Sequence, residues 1–194
     1  MKLYTKLTAA VLMLATAAFA LTSCGGDDDD EPEQPKNWST VYAYSFKLSA
    51  DVLRTAEVTA HIARPDGTFS TEAVTTLNPS WTLKGTNVPD KAGILLTFVP
   101  KKDIDTGATY KIDIFGSVTA ESLYGEGVIG YKNYSHGTTM TISGAKLAEY
   151  FTGRGVAFAY GTDAQGEMSA LPVDSFDFGL NGFWKWLSGF FEEE

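Results

Sequence analysis

Past Lys36 the apolar residues of this chain mostly alternate rather than recur every three or four positions, and that regularity restricts the fold more than any other feature. Tyr42, Tyr44, Phe46 and Leu48 share one face of an extended segment, with Ala43, Ser45 and Lys47 on the other. Val52, Ala56, Val58, Ala60 and Ile62 continue the pattern, with Arg54 as the one intruder. Pro65-Asp66-Gly67 is turn chemistry, so residues 52–64 and 68–77 are predicted to form a hairpin. Ile94, Leu96 and Phe98 form a third strand ended by Pro100. Tyr110, Ile112, Ile114 and Val118 form a fourth, and Val156, Phe158 and Tyr160 lie in another that leads into an Asp163–Gly166 turn. Weaker strand signals lie at 81–84, 127–133 and 138–142. About eight strands separated by Gly, Pro, Asn and Asp predict an all-β domain, an antiparallel β-sandwich of immunoglobulin-like kind, with a small β-barrel as the alternative. One or two short helices join it; Ser143 is placed to cap a helix over 144–152, and Gly153 sits where a C′ glycine belongs.

The N-terminal end follows a different logic. Lys2 and Lys6 precede an apolar stretch from Leu7 to Leu21, which is short for a bilayer span of about 20 residues but suits the core of a secretion signal. Leu21-Thr22-Ser23-Cys24 then resembles the bacterial lipobox. That resemblance implies a signal peptide over 1–23 and fatty acylation, of the palmitate type, at Cys24. Six acids fall within the seven residues Asp27, Asp28, Asp29, Asp30, Glu31, Pro32 and Glu33, so residues 24–36 read as an extended, self-repelling tether. An acidic run directly behind the cysteine is similar to the export signal of Bacteroidota-type surface lipoproteins. The resemblance covers residues 1–35 only. It implies a protein of the outer membrane, lipid-anchored and facing the cell surface. Residues 37–194 are left as a single β domain.

A net charge of −9, from 15 basic and 24 acidic residues, argues against a nucleic-acid partner. One cysteine excludes an internal disulfide framework, and its commitment to lipid would remove it as a nucleophile. The two histidines, His61 and His136, are too few for most metal or acid–base clusters. His61 falls on the outward face of its strand and His136 in a Ser-His-Gly turn; Ser135 and His136, as chain neighbours, point apart. Gly125-Glu126-Gly127-Val128-Ile129-Gly130 matches a dinucleotide-binding string, but no βαβ unit surrounds it, so its glycines are assigned to a turn or bulge. Asp103 and Asp105 have the opening spacing of a calcium loop without its closing glutamate, and are kept as a weak calcium candidate beside the simpler reading of local Asx bonding. No carboxylate pair for glycoside cleavage can be assigned, and no cofactor is implied.

The C-terminal segment 176–194 is rich in aromatics. On an ideal helix Leu180, Phe183, Trp184, Leu187, Phe190 and Phe191 fall within an arc of roughly 120°, with Trp186 on its flank. Gly182 and Gly189 each cost such a helix about 1 kcal/mol, so it needs something to pack against. Three readings stay open: closure of the core, a partner-docking surface carried by Phe183, Trp184, Trp186, Leu187, Phe190 and Phe191, or a membrane-interface helix, which the acids Glu192–Glu194 disfavour. Trp38, Trp81, Tyr124, Tyr131 and Tyr134 add a hint of ligand stacking. The expected function is non-catalytic: an accessory or structural module docking to an envelope protein, with glycan or small-ligand binding as the alternative and a hydrolase third.

Overall fold

Alternation becomes structure in strand β1 (Trp38–Leu48), where Thr40, Tyr42, Tyr44, Phe46 and Leu48 all point inward and are buried. The structure is a computed structural model and describes residues 37–176 and 178. The remaining elements in chain order are α1 (Ala50–Thr55), β2 (Ala56–Ala63), β3 (Phe69–Ala73), β4 (Ser80–Gly85), β5 (Lys91–Pro100), β6 (Thr109–Tyr124), β7 (Gly127–Ser143), α2 (Gly144–Phe151), β8 (Gly155–Thr162) and β9 (Met168–Ala170). Every strand pairing is antiparallel. A four-stranded sheet, β4-β1-β6-β7, packs on a five-stranded sheet, β3-β2-β5-β8-β9, and neither closes into a barrel. The fold is a β-sandwich.

Between the sheets lies one core. Tyr42, Tyr44 and Phe46 from β1 and Ile112, Ile114 and Val118 from β6 meet Ala60 and Ile62 from β2, Ile94 and Leu96 from β5, and Phe158 from β8. Strand β6 approaches a strict in–out alternation along its whole length. A second, smaller cluster covers the outer face of the five-stranded sheet, where Phe176 and Phe178 pack on Ala63, Leu95 and Ala159. The chain therefore passes from β9 back across the sheet, and Lys91 Nζ donates to the Ser175 carbonyl at 2.6 Å as it does so.

Several local expectations need correction. Residues 50–55 are helix, not strand: Val52 and Ala56 are spaced for either period, and Arg54, the apparent intruder, pairs with Asp51 one turn back at 2.9 Å. The segments 127–133 and 138–142 are one continuous strand, so His136 lies in β7 and not in a turn. It stays extended because the ladder to β6 runs through it, and Gly137 leaves room for Phe115 opposite; a Cβ there would lie 2.6 Å from that ring. The hydroxyl of Ser143 precedes α2 without capping it. The hairpin at Pro65-Asp66-Gly67 forms between shorter strands than anticipated, with Asp66 Oδ1 accepting the Thr68 N–H at 2.9 Å. A ninth strand, β9, had no clear signal.

Gly116 shows how tightly the two sheets meet. A Cβ at this position would stand 2.3 Å from Phe158 Cε2 and 3.0 Å from Phe46 Cε1. Those two rings pack edge-on at 5.6 Å. Gly116→Ala is expected to cost about 1–3 kcal/mol of stability by forcing Phe158 from its place. An unchanged denaturant midpoint would show that the ring shifts without cost.

Candidate functional site

Strand β7 pairs with β6 and, among the described residues, with nothing on its other edge. Its inward-facing residues therefore extend past the core. Tyr134 stands opposite Val118, His136 opposite Gly116, and Thr138 opposite Ile114, yet all three β7 residues are exposed while their β6 partners are buried. Below this overhang lies β8, and α2 crosses from the end of β7 to the start of β8. The result is an open groove of about 1040 Å³. Tyr134, His136, Met140 and Ile142 form one wall; Val156 and Phe158 form the floor; Lys146, Glu149, Tyr150 and Phe151 of α2, with Arg154 beyond it, close one end. That size is at the upper end for small-molecule sites and suits an extended ligand.

The aromatic residues are held in place by their neighbours. Tyr134 packs against Phe158 at 6.1 Å, Phe151 stacks on Phe98 at 5.6 Å, and Tyr150 lies edge-on to Phe151 at 5.4 Å. Helix α2 buries Leu147 and Phe151 completely and leaves Tyr150 half-buried at its rim, as its i, i+3, i+4 spacing dictates. Gly153, at φ 67°, turns the chain out of the helix, and Arg154 folds back so that its guanidinium lies 4.4 Å over the Tyr150 ring. Lys146 and Glu149 are exposed on α2, and Glu149 is the one carboxylate among the described lining residues.

A polar cluster marks the other end of β5 and β8. Asp90 accepts from the Tyr42 hydroxyl at 2.6 Å, from the Thr162 hydroxyl at 3.1 Å and from the Thr40 hydroxyl. Burial and then the Asp90 carboxylate push the Tyr42 phenol far above its ordinary pKa, so Tyr42 remains a proton donor. Burial does the same for Tyr44, which donates to the Ala92 carbonyl at 2.9 Å. The arrangement ties the β4–β5 connection to both sheets.

His61 lies on the outer face of β2 but is buried, opposite Leu95, with Nε2 3.0 Å from Thr97 Oγ1 and no partner for Nδ1 among the described residues. Burial lowers its pKa below the ordinary 6.5. Because the folded state then holds the proton less well than the unfolded chain, stability is complete above about pH 6.5 and falls as pH drops through the folded value. Asp66, held low chiefly by the Thr68 hydroxyl, titrates below that window. Acidifying from pH 7 to 5 is expected to lower the melting temperature, and His61→Gln should flatten the slope. Equal slopes in both proteins would remove His61 from the account.

The remaining expected site residues divide in two. Cys24, the acidic run Asp27–Glu31 and the aromatic stripe at Phe183, Trp184, Trp186, Leu187, Phe190 and Phe191 lie outside the described residues. Asp103 and Asp105 lie in the β5–β6 connection, where Asp105 Oδ1 accepts the Gly107 N–H at 2.9 Å in an Asx turn. No group of three or more metal-ligating side chains gathers among the described residues. The glycine string ends β6 and opens β7: Gly125 has a φ of 60° in the hairpin turn, and the register shift after Ser122 leaves Ile129 as the extra residue of a bulge. Ser135 and His136 do point to opposite faces, since Ser135 pairs with Ser117 on the outer surface.

Of the aromatic hints, Trp38 packs on Tyr124 at 5.0 Å, and Trp81 lies edge-on to Phe46 with its indole N–H donating to Glu72. Only Tyr134 belongs to the groove. Sequence reasoning missed Tyr150 and Arg154 as a pair, although their i, i+4 spacing was visible. Among the described residues no helix is long and apolar enough to cross a membrane. No protein-family model matches the chain, and no curated protein matches it.

Proposed function

We propose that the protein is a lipid-anchored binding module of the outer membrane, displayed at the cell surface, whose groove between β7, α2 and β8 takes a glycan. One observation carries the reading: Tyr134, on an exposed stretch of strand β7, and Tyr150, at the rim of α2, line the same open groove. Aromatic faces pack against the apolar faces of sugar rings, and the polar groups at the rim meet hydroxyls. The action is binding and not cleavage, because glycoside hydrolysis uses two facing carboxylates and this lining presents Glu149 alone. Anchoring rests on Cys24 and the surface position on Asp27–Glu31.

The test is an array of neutral and charged oligosaccharides probed with the full chain in detergent, alongside Tyr134→Ala and Tyr150→Ala. Binding that both variants lose supports the site; a bound sugar insensitive to both places it elsewhere. For the address, replacing Asp27–Glu31 with alanine should protect the protein from protease added to intact cells, and unchanged digestion would sink the export signal.

Docking to an envelope protein is the second reading, and the free edge of β7 favours it. A strand of 17 residues without proline, with one edge unpaired among the described residues, is a ready template for an added strand. A stoichiometric partner pulled down from gently solubilised envelopes, and lost on deleting 180–194, would place docking at the aromatic C-terminus. A partner lost instead on placing proline at Ser135 would place it on β7.

A further inference from the structure

We propose that the ligand of the groove carries carboxylates, so that the sugars it takes are uronic acids. This rests on the glycan reading above and adds a charge selectivity to it. The argument begins with Arg154. Its guanidinium face lies 4.4 Å over Tyr150, which occupies the face of the group and leaves the N–H donors at its rim unused. No ion pair or hydrogen bond engages those donors among the described residues; the one salt bridge there joins Arg54 to Asp51. A guanidinium fixed in orientation by stacking, with its in-plane fork free, matches a carboxylate in two parallel hydrogen bonds.

Charge agrees with geometry. The chain as a whole carries −9, yet the charged groups that line this groove are Lys146 and Arg154 against Glu149, with His136 on the facing strand. Over its 17 residues β7 has Lys132 and His136 and no acid. An acidic protein thus presents a locally basic groove. The exposed aromatic rim selects among anions: a sugar ring can lie on Tyr134 while its C6 carboxylate pairs with Arg154 or Lys146 of the same groove, whereas an acidic peptide would gain little from that face. Glu149 beside the two cations accepts from ring hydroxyls and disfavours a ligand charged on every atom group, such as a polyphosphate.

The experiment is calorimetric titration of the full chain in detergent with a short oligogalacturonate and with its carboxyl-reduced neutral counterpart, at low salt. The uronate is expected to bind about ten- to a hundredfold more tightly, the range of a charge-assisted hydrogen bond. Arg154→Ala should abolish the difference and Arg154→Lys should restore part of it. Arg154 is exposed, so both variants keep the fold, and matching circular dichroism verifies that. Equal affinity for both sugars overturns the carboxylate assignment while leaving glycan binding in place. Binding of neither sugar, nor of any sugar in the wider array, overturns both. A poly-glutamate peptide bound as tightly as the uronate also overturns the proposal, because stacking would then contribute nothing.

Discussion

Asp90→Ala is expected to lower the unfolding free energy by about 3 kcal/mol. The carboxylate receives three hydroxyls, from Thr40, Tyr42 and Thr162, and the Asp90 N–H in turn donates to Thr162 Oγ1 at 2.9 Å. Hydrogen bonds to a charged group contribute more than neutral ones, and the larger loss comes from what remains behind. Tyr42 is fully buried, so alanine strands its hydroxyl between the sheets without an acceptor. Asparagine supplies a test of that reasoning. It keeps one carbonyl oxygen for Tyr42 and presents an amide to Thr40, whose hydroxyl can accept, so Asp90→Asn should cost about 1 kcal/mol. Guanidinium denaturation reads both, with slopes compared to show that the end states are unchanged. Equal costs for the two variants would mean that charge, not the pattern of acceptors, holds this end of the sandwich. Gly85 offers a corroborating site, since a Cβ there would lie 2.0 Å from Asp90 Oδ2.

Phe151→Ala should have an effect at least as large, about 3–5 kcal/mol, the range for deleting a buried phenylalanine. Phe151 is completely buried and stacks on Phe98 at an interplanar angle of 21°. It joins α2 to Phe98 of β5, and α2 is only eight residues long, too short to persist without packing. Its loss reaches the groove as well. Tyr150 leans on Phe151 and Arg154 on Tyr150, so the variant should lose ligand affinity together with stability. Phe151→Leu, which keeps most of the volume, should stay within about 1.5 kcal/mol. Chemical denaturation and ligand titration on the same preparations check both effects. A destabilised protein that still binds normally would show that α2 positions nothing in the groove.

The sandwich was legible in the chain because its inner residues are large and alternate: Tyr42 to Leu48 and Tyr110 to Val118 cannot be buried on one side in any other backbone. The same rule misled at Val52 and Ala56. Their separation of four fits a helical turn as well as a strand, and the tie between Arg54 and Asp51 was decided by local charge, which alternation does not weigh. Strand β7 was half legible for a related reason. Its continuity comes from hydrogen bonding to β6, not from burial, so residues 133–137 carry no apolar pattern to read. The groove follows from that same exposure. It exists because β7 runs past the edge of the core while α2 and β8 return beneath it, and no local periodicity records which strand overhangs which. Tyr134 stood out as an aromatic in a polar run; Lys146, Tyr150 and Arg154 gained meaning only once the helix was laid against the floor.

The position of β1 has a consequence for the order of events in a chain synthesised from its N-terminus. It is an interior strand, hydrogen-bonded to β4 on one side and to residues 114–124 of β6 on the other. The first strand to emerge is therefore among the last to be completed. Until residue 124 has appeared, Tyr42, Tyr44 and Phe46 have no finished sheet to enter, and a shortened chain is left with β1 half-paired. Contacts so distant along the chain make folding slow and close to all-or-none. The four-stranded sheet can therefore be completed only after most of the described chain has been made.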